Sequence, residues 1–212
     1  ASNENPLGPS PLALEAMREK LAQLHLYPDG DCFYLKRALT AKLNLVSEQL
    51  IFGNGSNEII ELAIRTFMRP GEEAVMARQA FVVYKLVVQA AGGISREVPL
   101  TDFTHDLEAI GKAISARTRI VFLANPNNPT GTIYRKATWE AFVKQVPPDV
   151  LIIVVEAYFE YVEAADYPNS LDYHQQGKTL LTLRTFSKLY GLAGLRIGYG
   201  IADEDIISLM HR

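Results

Sequence analysis

The sequence is poor in cysteine, in long apolar runs and in excess charge of either sign. Its single cysteine, Cys32, cannot form a disulfide within the chain, so we expect a reducing, cytoplasmic setting. No apolar run reaches the roughly 18 residues that a membrane helix needs, so we expect no membrane partner. The net charge is -3 and no cluster of basic residues is present, which argues against nucleic acid as a partner.

Other polar residues show no pattern of a metal site. The histidines are scattered without metal-ligand spacing, so we expect no metal and interpret them as surface or core residues: His25, His105, His174 and His211. We interpret the adjacent Glu72 and Glu73 as solvent-exposed charge. These groups therefore give no indication of function by themselves.

What the sequence does contain is an alternation of apolar strands and helical patterns. Strands are predicted at Leu50–Phe52, Ala74–Ala77, Arg96–Leu100, Ile120–Ala124, Leu151–Val155, Leu180–Arg184 and Arg196–Gly200. Helices are predicted between most of them, at Asn57–Met68, Phe81–Ala91, Leu107–Ser115 and Lys136–Gln145. Such a pattern is typical of a mainly parallel sheet covered on both faces. The sequence therefore predicts a three-layer α/β/α domain of about seven strands.

The amino-terminal segment differs from the rest. Residues 1–26 are predicted to form a polar arm and a helix, with Ser10 as N-cap and Pro11 at the first helical position. Residues 27–212 are predicted to form the larger α/β domain. The helical pattern that begins at Glu204 carries no stop signal, so we expect this domain to be incomplete at its carboxyl terminus.

Four polar turns follow predicted strands, at the sheet edge where parallel α/β proteins bind ligands. They are Gly53–Glu58, Asn125–Gly131, Glu156–Tyr161 and Arg184–Arg196. Taken alone, the first fits a helix cap as well as a phosphate site, the second an ordinary turn, and Tyr158 in the third a core aromatic.

The fourth turn carries the strongest chemical indication. It places Ser187, Lys188 and Arg196 among glycines. A lysine amine forms Schiff bases with carbonyl compounds, and a hydroxyl and a guanidinium beside a glycine-rich turn can hold a phosphate. Together with the other turns, this pattern favours a phosphate-bearing cofactor that is bound covalently through Lys188.

Six segments in order along the chain resemble the fold-type I pyridoxal-phosphate aminotransferases, most closely those of the histidinol-phosphate type. They are Asn3–Pro6, Tyr27–Asp29, Gly53–Glu58, Asn125–Gly131, Glu156–Tyr158 and Arg184–Tyr199. The resemblance implies transamination between L-glutamate and imidazole acetol phosphate, giving L-histidinol phosphate and 2-oxoglutarate in histidine biosynthesis. It also implies a small carboxyl-terminal domain, which we expect to be absent from this chain.

The resemblance implies roles for residues in each of the four turns. Lys188 would carry pyridoxal 5'-phosphate and then act as the catalytic base, while Tyr158 and Asn128 would bind the phenolic oxygen of the cofactor. Phe81 would stack on the pyridine ring. The phosphate would be bound by the side chains of Thr185, Ser187 and Arg196 and by the backbone amides of Ser56 and Asn57.

The resemblance further implies a homodimer with shared active sites. Tyr27 would reach the cofactor phosphate and substrate of the neighbouring subunit. Asn5, in the amino-terminal arm, would lie near the substrate, although an arm that only packs across the dimer would need a similar polar turn.

The sequence departs from the family at Val155. The family has an aspartate three residues before the tyrosine that is Tyr158 here, and that carboxylate pairs with the protonated pyridine nitrogen. Glu156 is adjacent, but successive strand residues face opposite sides, so it should point away. We therefore expect cofactor binding with strongly impaired transamination.

Three other interpretations stay open at this point. A threonine-phosphate decarboxylase and an aromatic aminotransferase share much of the pattern. From a different class, Val155 and the missing domain also fit a catalytically weak protein that binds pyridoxal phosphate or dimerises.

Overall fold

A seven-stranded sheet forms the centre of the computed structural model, which describes residues 3–176 and 178–211. Its strands are β1 (Leu50–Asn54), β2 (Glu73–Ala77), β3 (Ile94–Val98), β4 (Thr118–Ala124), β5 (Leu151–Val155), β6 (Leu180–Thr185) and β7 (Ile197–Ala202). Their spatial order is β1-β7-β6-β5-β4-β2-β3. Strand β7 is antiparallel to both neighbours and the other pairs are parallel, which confirms the predicted mainly parallel sheet.

Helices cover both faces of the sheet. The chain forms α1 (Pro11–Lys20), α2 (Phe33–Leu43), α3 (Ser56–Phe67), α4 (Val83–Ala90), α5 (Leu107–Ala113), α6 (Lys136–Gln145) and α7 (Glu204–Met210). The apolar sides of α3, α4 and α7 pack on one face, and those of α5 and α6 pack on the other. The three-layer prediction is confirmed. Within the described ranges, each helix is too short or too polar to cross a membrane.

The alternation of side chains along β5 divides the core into two layers. Leu151, Ile153 and Val155 pack in the cluster that contains α3 and α4, whereas Ile152 and Val154 pack in the cluster of α5 and α6. Because successive strand residues face opposite sides, the next residue along the chain must point toward the α5 and α6 layer. This periodicity fixes which side chains at the end of the strand reach each face.

Four strands begin at residues other than those predicted: β2 one residue earlier, β3 and β4 two residues earlier, and β7 one residue later. The parallel pairing of β3 with β2 starts at Ile94, two residues before the predicted start at Arg96. Strand β7 starts at Ile197 because Arg196 has a left-handed φ of 54° and ends the short helical turn that precedes the strand.

The interpretation of Glu73 as solvent-exposed charge is wrong. It is the first residue of β2 and is 1% exposed, and its carboxylate pairs with Arg117 at 2.6 Å and Arg96 at 3.1 Å. It also accepts a hydrogen bond from the Ser115 hydroxyl at 2.7 Å. A buried carboxylate is tolerated when paired and hydrogen-bonded, and these partners lie 23 to 44 residues away in the chain, beyond any local pattern.

The amino-terminal segment lies against the domain as an arm and an exposed helix. Ser10 caps α1 by accepting a hydrogen bond from the Ala13 amide at 3.2 Å, as its position before Pro11 predicted. No residue of α1 is buried, and Leu12 and Leu24 are 77% and 76% exposed. The helix therefore contributes little to the core of this chain.

Candidate active site

A cleft of about 690 Å³ opens where the carboxyl ends of the parallel strands meet. Its walls are the turns that follow β1, β4, β5 and β6, the start of α4 and the amino-terminal arm. Nine of the predicted site residues line it: Ser56, Asn57, Phe81, Asn128, Tyr158, Thr185, Ser187, Lys188 and Arg196. The fold thus brings together residues that are up to 140 positions apart in the sequence.

Lys188 and Tyr158 face each other across the cleft. The Nζ of Lys188 lies 5.7 Å from the centroid of the Tyr158 ring and donates to the carbonyl of Asn3 at 2.8 Å. The side-chain amide of Asn3 donates to the Tyr158 hydroxyl at 2.8 Å. An amine and a phenol are therefore held beside one another, and one residue of the arm contacts both.

A candidate anion site lies at the start of α3. The first amides of a helix have no partner within it, and they carry the positive end of the helix dipole. Here they border the cleft at Ser56 and Asn57, and Gly55 precedes them with a φ of 70°. The Arg196 guanidinium lies over Gly55 and donates to the carbonyls of Ala193 at 2.9 Å and Asn54 at 3.3 Å.

The hydroxyls of Thr185 and Ser187 complete this anion site. Both residues are buried and line the cleft. The Thr185 hydroxyl donates to Ser187 Oγ at 3.0 Å and accepts from the Ser187 amide at 3.1 Å. A guanidinium, helix amides and hydroxyls that border the same cleft are a combination that can bind phosphate.

Gly198→Ala is expected to disrupt the base of this anion site. An added Cβ would lie 2.4 Å from the Ser56 nitrogen and 2.5 Å from the Gly55 carbonyl carbon, which are backbone atoms that cannot rotate away. We expect the free energy of unfolding to fall by about 1–3 kcal/mol, the usual cost of overpacking. The measurement is chemical denaturation. Gly194→Ala is the control, since a Cβ there meets no atom within 4 Å; an equal loss in both variants would contradict the prediction.

Part of the cleft wall is apolar. Val155 is 7% exposed and lines the cleft with Ala124 and Ala157. Glu156 is fully buried and points to the other face of the sheet, where it pairs with Arg184 at 2.7 Å. The prediction that Glu156 points away from Val155 is therefore confirmed. Among the described residues that line the cleft, the one carboxylate belongs to Glu4 on the arm.

A buried histidine, His105, contacts the turn after β4. The peptide bonds Asn125-Pro126 and Asn128-Pro129 are both cis. The Asn127 side chain donates to Thr130 Oγ1 at 2.8 Å, and its oxygen lies 3.1 Å from His105 Nε2. Burial lowers the pKa of His105 to about 4, so the ring is neutral near pH 7 and can donate to that oxygen. These contacts leave Asn128 facing the cleft.

Two of the predicted site residues lie outside the cleft. Tyr27 is 99% exposed, on the surface of the amino-terminal segment. Asn5 donates through its side-chain amide to the carbonyl of Leu189 at 2.8 Å. This hydrogen bond joins the arm to the turn that contains Lys188. Their roles toward a neighbouring subunit and a substrate stay predictions.

The structure places two arm residues at the cleft: Asn3, which the sequence did not assign there, and Glu4, which belongs to the arm that the resemblance placed near the substrate. Asn3 contacts Lys188 and Tyr158 directly, and Glu4 lines the cleft. Both belong to the Asn3–Pro6 segment. The density of polar residues in this segment, just before a helix, is the sequence feature that could have indicated a role in the site.

Comparison with known proteins agrees with this geometry. Residues 1–212 match the family model described as aminotransferase class I and II. The chain is 53% identical over 213 residues to the histidinol-phosphate aminotransferase of Moorella thermoacetica, covering 100% of this chain and 55% of that protein. It is 49% identical over 212 residues to that of Caldicellulosiruptor saccharolyticus, covering 100% and 59%. The chain thus spans a little over half the length of these relatives.

Solved structures give the same result. The histidinol-phosphate aminotransferase of Sinorhizobium meliloti, crystallised in complex with pyridoxal-5'-phosphate, superposes with a TM-score of 0.94 at 29% identity, covering 100% of this chain and 57% of that one. The histidinol-phosphate aminotransferase of Clostridium acetobutylicum superposes with a TM-score of 0.87 at 27% identity, covering 99% and 62%. The resemblance predicted from the motifs is confirmed, and the chain belongs to the aminotransferase class I and II family.

Proposed function

We propose that this chain forms the cofactor-binding part of a pyridoxal-phosphate-dependent aminotransferase of the histidinol-phosphate type. The main support is that the amine of Lys188, the phenol of Tyr158 and the anion site around Ser56 and Arg196 lie in one cleft. A carbonyl cofactor with a phosphate needs both an amine to hold it and an anion site. The Sinorhizobium meliloti relative, solved with this cofactor, has the same fold.

Most of the residues present fit pyridoxal 5'-phosphate. The start of α3, Arg196 and the hydroxyls of Thr185 and Ser187 would bind the phosphate. Lys188 would hold the cofactor covalently. The remaining contacts would come from the faces of the cleft: Phe81 at the pyridine ring, and Asn128 and Tyr158 at the phenolic oxygen. When bound, the cofactor supplies an electron sink that stabilises negative charge at the substrate Cα.

The side chains of the cleft would then move protons and orient groups. Lys188 would take the proton from the substrate Cα, and a positioned base of this kind typically contributes about 10²–10⁴-fold to the rate. Tyr158 would donate to the phenolic oxygen and fix its orientation. Asn3 would shield Lys188 and Tyr158 from water, because it already hydrogen-bonds both.

Residue 155 is the one position that does not fit. The isopropyl group of Val155 cannot accept a hydrogen bond, and Glu156 is held on the other face of the sheet by Arg184. A hydrogen bond to a charged group contributes roughly 1.5–3 kcal/mol. We therefore propose that the chain retains the cofactor but transaminates slowly.

The substrates and the assembly are proposed from the relatives. The amino donor would be L-glutamate and the acceptor imidazole acetol phosphate, giving L-histidinol phosphate and 2-oxoglutarate in histidine biosynthesis. The active form would be a cytoplasmic homodimer with shared sites. The exposed Tyr27, Leu12 and Leu24 of the amino-terminal segment support this, because they leave an apolar surface uncovered in the single chain.

The experiment is a titration with pyridoxal 5'-phosphate followed by L-glutamate. We expect a near-visible absorbance band that borohydride bleaches, and slow formation of 2-oxoglutarate when glutamate is added. Threonine phosphate is the control substrate, since carbon dioxide release from it would indicate a decarboxylase instead. A chain that acquires no borohydride-sensitive band would refute the proposal.

A catalytically weak cofactor-binding protein is the second candidate, and Val155 is the observation that favours it. The two candidates differ in one result. A borohydride-sensitive band that glutamate leaves unchanged would support the weak binder, whereas 2-oxoglutarate formed in proportion to the protein would support the aminotransferase.

A further inference from the structure

A buried ion pair lies directly behind the cleft, on the opposite face of the sheet. Glu156 is 0% exposed and the side chain of Arg184 is 4% exposed. The Nε and Nη2 of Arg184 donate to Glu156 Oε2 at 2.9 and 2.7 Å. The guanidinium also lies 3.9 Å from the centroid of the Phe159 ring. None of these groups lines the cleft, and the proposed reaction does not use them.

Hydrogen bonds extend this pair to three neighbouring strands. Glu156 follows β5 and Arg184 lies in β6. The other carboxylate oxygen, Oε1, accepts from the Ser170 amide at 3.1 Å and lies 3.3 Å from the Tyr167 hydroxyl. That hydroxyl donates to the carbonyl of Asn125, just after β4, at 2.5 Å. One buried network therefore joins the carboxyl ends of β4, β5 and β6.

The network begins where the backbone pairing of these strands ends. The amide of Asn125 donates to the Val155 carbonyl at 3.1 Å, and the amide of Glu156 donates to the Leu183 carbonyl at 2.8 Å. Beyond these hydrogen bonds, the segments that follow β4, β5 and β6 separate into turns. Contacts between side chains are then needed to keep the starts of the turns in register.

A residue of the proposed site lies within four residues after each strand end in the network. Asn128 comes three residues after Asn125, Tyr158 two residues after Glu156, and Lys188 four residues after Arg184. We propose that the Glu156–Arg184 pair, with Tyr167, positions these three turns and thereby sets the geometry of the cofactor site. This inference rests on the proposed function for its cofactor measurement. Binding groups must be held within about 0.5 Å of their working positions, which a rigid support behind them provides.

Stability alone is a weaker explanation for this pair. A buried ion pair is often no more stabilising than apolar residues of the same volume, because both charges lose their hydration. Glu73 offers a matched comparison, since it is a second buried carboxylate with arginine partners. It lies at the amino end of β2, whereas the cleft lies at the carboxyl ends of the parallel strands. Loss of either carboxylate should cost stability, but only loss of Glu156 should disturb the cleft.

The experiment compares Glu156→Gln with Glu73→Gln in the full chain. Amide hydrogen exchange is measured over residues 125–131, 156–161 and 184–190, and the dissociation constant of pyridoxal 5'-phosphate is measured by absorbance. We expect Glu156→Gln to speed exchange in all three segments and to weaken cofactor binding by about tenfold or more, since small misplacements of binding groups carry large penalties. Glu73→Gln should leave both quantities close to those of the unchanged chain.

Tyr167→Phe provides a milder second variant. It removes the bond from the Tyr167 hydroxyl to the Asn125 carbonyl and the longer contact with Glu156 Oε1, but it keeps the Glu156–Arg184 pair. It should therefore speed exchange mainly in 125–131, and it keeps the proposal testable where Glu156→Gln does not fold. Unchanged exchange at the three turns in both variants, or equal effects of Glu156→Gln and Glu73→Gln, would overturn the positioning role. Failure of the unchanged chain to bind the cofactor would instead refute the proposed function, and hydrogen exchange would still decide the role of the pair.

Discussion

Replacing Lys188 by alanine is expected to abolish covalent attachment of pyridoxal 5'-phosphate and to reduce amino transfer to background. Lys188 is the one lysine among the described residues that line the cleft, so no neighbouring amine can replace it. The measurement is mass spectrometry after borohydride reduction, which makes the attachment permanent. The unchanged chain should gain the mass of one reduced cofactor, and Lys188→Ala should gain none.

Two variants separate loss of the amine from loss of charge and from general damage. Lys188→Arg keeps a positive charge in the cleft but cannot form the covalent bond, so it should bind the cofactor reversibly and give no mass gain. Lys136→Ala removes an exposed lysine at the start of α6 and should behave as the unchanged chain does. A full mass gain in Lys188→Ala would place the attachment on another lysine and contradict the assignment.

The cleft was predictable because its residues follow strands. Apolar runs bounded by polar turns placed β4, β5 and β6 correctly, and the strand rule then placed Asn128, Tyr158 and Lys188 at one sheet edge. The facing of side chains was also predictable, since a period of two decides which residues share a face. That rule correctly predicted that Glu156 faces away from Val155, a residue that the resemblance to the family had placed at the cofactor.

What could not be predicted depends on contacts between distant residues. Asn3 meets Lys188 across 185 positions, and no local pattern encodes that pairing. Glu73 gives the same lesson, because adjacent acids in a loop-like sequence resemble solvent-exposed charge until their arginine partners are located. The Glu156–Arg184 network is a third case, with its members spread over five segments between Asn125 and Arg184.

Val155→Asp is expected to raise the rate of the glutamate reaction at least tenfold. The new carboxylate would lie in the apolar part of the cleft wall, where it could pair with the protonated pyridine nitrogen of the bound cofactor. A hydrogen bond to a charged group contributes roughly 1.5–3 kcal/mol, and about 1.4 kcal/mol corresponds to a factor of ten in rate. The measurement is the single-turnover rate of absorbance change with L-glutamate, with saturating cofactor.

Val155→Asn is the matched control for charge. It has nearly the same shape as aspartate and can form a hydrogen bond, but it cannot stabilise a protonated nitrogen electrostatically, so its rate should stay near that of the valine form. Equal rates for the aspartate and asparagine variants would contradict the charge argument. An unchanged rate for aspartate would show that residue 155 does not limit the reaction.

The same substitution should make the stability of the chain depend on the cofactor. Val155 is 7% exposed, so an aspartate there would be buried without a partner in the cofactor-free chain. Burial would raise the pKa of that carboxyl above its unfolded value of about 3.9, so the cofactor-free variant should lose stability as the pH rises above about 4. Bound pyridoxal 5'-phosphate would supply the missing partner. We therefore expect the cofactor to raise the melting temperature of Val155→Asp more than that of the valine form at neutral pH, and an equal rise in both would contradict a pairing at residue 155.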